Sequence, residues 1–305
     1  MREAVSESLP PAATVPAATV RRSSRLPLHA GLLSLLLLAA LLAVWQWATL
    51  PGADGQAGLT PEQIEYARLM GQEPGQRREA GFPQPAELGR AMLAHLSDPW
   101  RDAGPNDKGI GVQLGHSLLR VGLGFGIAVL VAVPLGFLIG TSPLAYRALQ
   151  PYIQVLKPVS PLAWMPLALY TIKDSSISGV FVIFICSIWP LLINTAFGVA
   201  GVRREWLAVA RTLEVPPRRL ALEVILPAAA PTILTGMRIS MGIAWLVIVA
   251  AEMLVGSTGI GYFVWNEWNN LSLANVIFAI LVIGVVGMLL DLGFARLQKA
   301  VTYVE

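Results

Sequence analysis

Two long stretches without a single charge most constrain what this chain can become. Gly31 to Leu50 and Ile177 to Val202 contain no Asp, Glu, Lys or Arg. Roughly 20 apolar residues in a helix cross the ~30 Å hydrocarbon layer of a bilayer. Within that layer a lone segment satisfies its backbone polar groups only as a helix. Both stretches therefore read as membrane helices. Composition agrees, with 55% of the residues hydrophobic and 13% charged, where a soluble domain carries about 25% charged residues.

Spans are predicted at about 30–50, 114–140, 151–172, 177–201, 230–255 and 273–295. That makes about six, and the fold class is all-α membrane protein. The stretch 151–172 holds Pro151, Pro158, Pro161 and Pro166. Each proline removes an internal hydrogen bond and clashes with the preceding turn, so this stretch cannot be one regular helix. Broken helices of this kind mark transport pathways; a packing kink is the competing reading.

Residues 1–28 are rich in Ala, Pro, Ser and Val, a composition that cannot bury a core and reads as a disordered cytoplasmic tail. The first transmembrane helix, 29–50, follows Arg21, Arg22 and Arg25 as a secretory signal would. Its apolar run exceeds the ~7–15 residues of a signal core and closes with Trp45, Trp47 and Pro51, so it reads as an uncleaved anchor. Cleavage near Ala53 is the alternative. Residues 51–113 form a polar external loop with two amphipathic helices. One opens at Thr60-Pro61-Glu62 and presents Ile64, Ala67 and Leu69; the other opens at Pro85 and Glu87 and carries Leu88, Met92, Leu93 and Leu96. A tethered surface loop, a membrane-surface element and a partner-binding element all fit.

Basic residues set the orientation. With the N-terminus in the cytoplasm, Arg2, Arg21, Arg22, Arg25, Arg147, Arg296 and Lys299 fall inside. So do Arg203, Arg204, Arg211, Arg218 and Arg219, which crowd one loop. Lys173 and the scattered basic residues of 51–113 fall outside, so both termini are expected in the cytoplasm. The formal net charge of +3 is then a topology signal rather than a nucleic-acid surface. The single cysteine, Cys186, sits in an apolar block and reads as a small buried residue.

The loop 203–227 reads RREWLAVARTLEVPPRRLALEVILP. Trp206, Val209, Ala210 and Leu213 recur at the spacing of one helical face, and Glu205 suits the start of that helix. Pro216-Pro217 stops it and opens a second short helix, which Pro227 ends. Such a helix–turn–helix needs a partner groove for its apolar face; a passive connector is equally compatible with the periodicity.

The close of this loop, Val224-Ile225-Leu226-Pro227, resembles the end of the cytoplasmic coupling loop of ABC importer permeases. Their pattern is Glu-Ala-Ala, three residues, Gly, nine residues, then Ile-x-Leu-Pro. Here Ala208-Val209-Ala210 stands at the triplet and Glu214 at the glycine. Segments 157–178, 187–199, 226–270 and 297–305 resemble the nitrate/sulfonate/bicarbonate family of ABC permeases, nitrate-transport permeases above all. The likeness covers most of 114–305, omits 1–28 and is loose through 51–113.

The resemblance implies a type I ABC importer permease fold, with a core permease domain at 114–305 and a coupling loop at 203–227. It implies a bacterial inner-membrane homodimer served by an ABC ATP-binding subunit and a periplasmic or lipid-anchored substrate-binding protein. Glu205, Trp206, Ala208, Val209, Ala210, Leu213, Glu214 and Pro227 are the expected coupling residues. The expected solute is a small inorganic anion, nitrate or nitrite; taurine or another alkanesulfonate, cyanate and bicarbonate are the alternatives. The chain carries no GxxxxGK[ST] phosphate loop. No cofactor is expected on it, and ATP is expected on the partner subunit.

Arg120, Lys157, Arg238, Glu252 and Asp291 lie within or at the ends of the predicted spans. Charge is costly there, and each such residue calls for a functional hypothesis. Three of the five are basic, which suits an anionic solute. Arg238 and Glu252, about 21 Å apart along one helix, cannot pair with each other. Lys157, Arg238 and Glu252, with Asn194, Thr195 and Ser240, are candidate pathway residues. The bland readings are snorkelling for Arg120 and Lys157, and a local pair near Arg296 for Asp291.

Segment 256–270 joins glycines suited to a tight turn with Tyr262, Phe263, Trp265 and Trp268, which suit a membrane interface, an external gate or a docking surface. His29, His95 and His116 are scattered, and no HExxH or paired acids occur, so neither a metal site nor catalysis is expected. A secondary anion transporter is the competing class; it would need ionisable groups at mid-span and no ATPase.

Overall fold

The computed structural model describes residues 26–49, 65, 82–104, 107–256 and 258–301. The chain divides into two units, Met1–Pro74 and Gly75–Glu305. The first contains α1 (Leu26–Ala48), a helix without a charged side chain. Its stretch His29–Ala48 is long and apolar enough to cross a membrane. Of the expected tail 1–28, residues 1–25 lie outside the described residues, as do the alternative cleavage site at Ala53 and, apart from Glu65, the first amphipathic helix; Leu26, Pro27 and Leu28 begin α1.

In the second unit, all regular structure among the described residues is helical apart from a single β-bridge between Asp102 and Lys108. It contains α2 (Pro85–Ser97), α3 (Ile110–Thr141), α4 (Pro143–Leu156), α5 (Pro161–Ile172) and α6 (Ser175–Ala200). After these come α7 (Arg204–Thr212), the single turn α8 (Pro217–Arg219), a π-helical stretch (Leu220–Ile225) and α9 (Leu226–Val255). Then come α10 (Ile260–Asn269) and α11 (Leu273–Val301).

Among the described residues five helical stretches are long and apolar enough to span: α1, α3, α6, the run Pro217–Val255 and α11. The sixth expected span, 151–172, is split. Pro143 opens α4 at its first turn, where Ser142 Oγ accepts the Ala145 N–H at 3.3 Å. Pro161 opens α5, and the turn between them absorbs Pro158. The 12 residues of α5 rise only about 18 Å, too little to cross alone. Its C-cap, Lys173, takes the left-handed conformation (φ 61°). Asp174 then caps α6, its carboxylate accepting the Ile177 N–H at 2.8 Å.

Helix α6 is the hub, packed against α3, α5 and α9. Contact with α3 runs along glycines. A Cβ at Gly136 would stand 2.6 Å from Thr195 Cβ, and one at Gly140 2.7 Å from Val199 Cβ. These two form a small-xxx-small pair, the device that lets apolar helices approach closely where no hydrophobic effect drives association. Around this seam Ala132, Ile139, Leu191, Leu192, Ala229 and Ile233 build one core cluster. Met165, Val182, Cys186, Val247 and Ala251 build a second between α5, α6 and α9, and Cys186 is buried as its surroundings in the sequence imply. Helix α11 lies on α9, held in part by Trp245 Nε1 donating to the Ile283 carbonyl at 3.0 Å.

The second amphipathic helix is present as α2, but it is not merely tethered. It packs on α11, and His95 stacks on Phe278 at 5.3 Å and meets Phe263 of α10 edge-on at 5.2 Å. Leu88 is buried, whereas Leu93 and Leu96 remain exposed.

Candidate functional site: coupling loop, ion pairs and cavity

The loop 203–227 begins with α7, which carries two faces. Ala210 is buried, and Leu207 packs with Val202 against the core. Trp206, Val209 and Leu213 are exposed at 42%, 59% and 70%. The sequence placed Ala210 on the same face as these three; the structure turns it inward and leaves an i, i+3, i+7 apolar stripe outward. Glu205, Ala208 and Glu214 are exposed beside it, and the Arg203 guanidinium lies over the Trp206 ring at 5.3 Å.

Helix α7 ends in a Schellman motif. The Val215 N–H donates to the Ala210 carbonyl at 3.0 Å and the Glu214 N–H to the Arg211 carbonyl at 3.0 Å. Glu214 is the left-handed residue of this motif, with φ 51°, a conformation that favours glycine. The glycine of the coupling-loop pattern thus falls where the backbone has use for one. Here glutamate occupies it.

Pro227 does not end the second helix. The chain runs from Pro217 to Val255 without a break, and Pro227 sits in the first turn of α9. The Leu226 N–H donates to the Ala221 carbonyl, five residues back, so the turn just before the proline is widened to a π turn. That widening accommodates a ring that would clash with an α-helical carbonyl.

The charges within the spans have specific partners. Arg238 on α9 and Asp291 on α11 form a bidentate pair, Nε to Oδ1 at 2.5 Å and Nη2 to Oδ2 at 2.6 Å. Asp291 therefore pairs across helices rather than locally with Arg296. Arg120 does not snorkel. It is 7% exposed and donates Nη1 to Glu252 Oε1 at 2.7 Å, Nε to Ser176 Oγ at 3.0 Å, and Nη1 to the Thr258 carbonyl.

Glu252 also accepts the Ser117 hydroxyl at 2.8 Å and the Gly261 N–H at 3.1 Å. Gln113 Oε1 accepts the Gly259 N–H at 2.6 Å, and Ser117 Oγ accepts the Ile260 N–H at 2.9 Å. The network joins α3, α6, the end of α9 and the start of α10. Sequence reading singled out Arg120 and Glu252 but missed Gln113, Ser117, Ser176 and Thr258. The available signal was the i, i+4, i+7 polar stripe of Gln113, Ser117 and Arg120 on an otherwise apolar helix.

The other candidates divide. Ser240 is fully buried and donates to the Ser187 carbonyl at 2.7 Å, between α9 and α6. Asn194 donates Nδ2 to the Pro190 carbonyl at 2.8 Å and faces Gly236. The Thr195 hydroxyl is buried without a hydrogen-bond partner among the described residues. Lys157 lines a cavity of about 590 Å³ between α4, the end of α3 and the last three turns of α6. In segment 256–270, Gly256 and Gly259 have φ of 67° and 148° and make the tight turn. Phe263 is buried, while Trp265 and Trp268 are exposed.

A short exposed helix that leaves the bundle before a long, proline-entered span fits the loop that the sequence resemblance implies. Residues 132–303 match the family of binding-protein-dependent transport system inner membrane components. The chain belongs to that family, and within it to the nitrate/bicarbonate/taurine group of ABC importer permeases, whose members are transport components.

It is 41% identical over 226 residues to the nitrate import permease protein NrtB of Synechocystis sp., covering 74% of this chain and 82% of that one. It is 42% identical over 207 residues to the bicarbonate transport system permease protein CmpB of the same organism, covering 68% and 74%. An inward-facing structure of the MetNI methionine ABC transporter shares the fold at a TM-score of 0.58 and 12% identity, covering 64% of this chain and 96% of that one. The expected type I ABC importer permease fold is thereby established.

Proposed function

We propose that this chain imports a small inorganic anion, nitrate or nitrite, as the permease subunit of an ATP-driven transporter. The observation that carries the solute is the 41% identity with a nitrate import permease across most of both chains. Two copies pair around a pathway. The exposed stripe Trp206, Val209 and Leu213 seats α7 in a groove of an ATP-binding subunit, with Glu205, Ala208 and Glu214 at its rim. A substrate-binding protein delivers the anion at the opposite end of the bundle, and both termini lie in the cytoplasm of a bacterial inner-membrane system. Bicarbonate is the second reading, supported by a relative of similar identity.

Uptake of isotopically labelled nitrate, in cells with and without the chain, tests the assignment. Uptake that disappears with the chain, and for which only unlabelled nitrate or nitrite competes, is the expected result. Nitrate uptake that persists without the chain moves the search to bicarbonate, cyanate and the sulfonates.

A further inference from the structure

Of the three cations that the sequence marks within or at the ends of the spans, two are committed to protein partners. Arg120 is enclosed by Glu252, Ser176 and Thr258, and Arg238 is held by both oxygens of Asp291. Lys157 has neither a carboxylate nor a carbonyl partner among the described residues. It faces the 590 Å³ cavity together with Tyr146, Gln150 and Gln154, at the i, i+4, i+8 and i+11 positions of one α4 face. Among the described residues no Asp or Glu lines that cavity. The opposing wall is apolar and comes from α6, with Ile193, Ala196 and Phe197.

We propose that Lys157, with Gln150, Gln154 and Tyr146, is an anion-binding station in the inner half of the pathway, and that it favours weakly hydrated anions. This deepens the anion-import reading and rests on it. The ammonium supplies three donors, each glutamine amide two, and the tyrosine hydroxyl one. An oxyanion that only accepts hydrogen bonds is matched on that face.

The face of Ile193, Ala196 and Phe197 offers nothing in exchange for water. An anion passing between the two walls loses part of its hydration, and the loss is smaller for nitrate or nitrite than for bicarbonate. A cavity of this volume does not grip a four-atom ion tightly. Weak holding is what a pathway requires, since a solute bound firmly does not leave. The wall on α6 runs from Leu192 to Ala200, about 12 Å of helix, so the station lies near the end from which α7 departs.

The test uses the assembled transporter with its binding protein and ATPase. Lys157→Gln should lower the maximal rate of labelled nitrate uptake about tenfold, the scale of one charge-assisted contact. The half-saturating external concentration should stay unchanged, because the binding protein sets it. Lys157→Arg should restore the rate to within about threefold of wild type, a difference under one charge-assisted contact.

Gln154→Glu supplies an independent arm. It places a carboxylate three residues from Lys157 on the same face, and it should reproduce the fall without removing the lysine. Thiocyanate presented from the inner side should slow wild-type transport and have less effect on Lys157→Gln. A snorkelling lysine predicts normal rates in both Lys157→Gln and Gln154→Glu at normal membrane levels, and that result overturns the proposal. If the wild type carries bicarbonate or a sulfonate instead of nitrate, the nitrate reading fails by itself. The same variants then decide the station with that anion, by whether its maximal rate falls.

Discussion

Arg120 and Glu252, 132 residues apart in sequence, meet at 2.7 Å in a buried ion pair that fastens α3 to the end of α9. Both side chains have further partners. Glu252 takes the Ser117 hydroxyl and the Gly261 N–H, while Arg120 reaches Ser176 and Thr258. Removing one partner strands the other. Glu252→Gln is therefore expected to cost about 3–5 kcal/mol, read as a fall in the unfolding midpoint of the purified chain in detergent. Adding Arg120→Gln should recover part of that loss, since no unpaired charge remains. Strictly additive losses would show that the two side chains do not act as a pair.

The glycine seam between α3 and α6 gives a second expectation. A methyl group at Gly136 meets Thr195 Cβ at 2.6 Å, with the Leu192 carbonyl at 2.9 Å. Neither helix can retreat without opening the core around Leu191 and Leu192. Gly136→Ala should lose about 1–3 kcal/mol, the usual cost of overpacking. Gly122→Ala, where nothing among the described residues lies within 4 Å, should keep or slightly raise the midpoint, since alanine is the better helix former, and serves as the control.

Glu214 gives the opposite sign. An L-residue in the left-handed region pays roughly 1–2 kcal/mol, partly offset by the greater entropy that glycine loses on folding. Glu214→Gly should raise stability by about 0.5–1 kcal/mol on those grounds, with the same melting measurement as readout. A destabilised variant would mean that the carboxylate makes a favourable contact in the assembled protein.

What the sequence made legible is mostly local. Apolar length located the spans, and four prolines announced that 151–172 could not be one helix; the break at 157–160 follows. Pairing of the charges was not legible, because it depends on which helices lie side by side. Spacing along α9 excluded an Arg238–Glu252 contact but could not choose α11 for one and α3 for the other. Pro227 misled for a different reason. A proline normally ends a helix, and the π turn at Leu220–Ile225 that lets the chain continue leaves no composition signal. The docking of α2 was hidden as well, since its periodicity fits a membrane surface as readily as the pair of phenylalanines that clasp His95.

Arg238 and Asp291 are both partly exposed, and their bidentate geometry holds α9 to α11 within the apolar part of the bundle. In lipid, a lone charge on either helix is worse than a matched pair or no charge at all. Arg238→Gln or Asp291→Asn alone should reduce the amount of chain recovered in the membrane fraction. The double neutral variant should restore it. Equal yields in all three would mean that water or another subunit supports each charge separately.

The two faces of α7 give folding and the proposed coupling separate tests. Trp206 and Leu213 face outward, whereas Leu207 packs with Val202 against the core. Trp206→Asp should change the melting of the isolated permease little, because it removes a partly exposed ring whose one ring contact is the exposed Arg203 guanidinium, while an aspartate in a partner's apolar groove is strongly unfavourable. Retention of the ATP-binding subunit through affinity purification should drop by about tenfold or more, as for truncating a central interface anchor. Leu207→Asp should behave in the reverse order, lowering the melting midpoint first and losing the partner only as a consequence. If Trp206→Asp keeps its ATPase and transports normally, α7 is a connector packed beneath the bundle and the docking site lies elsewhere.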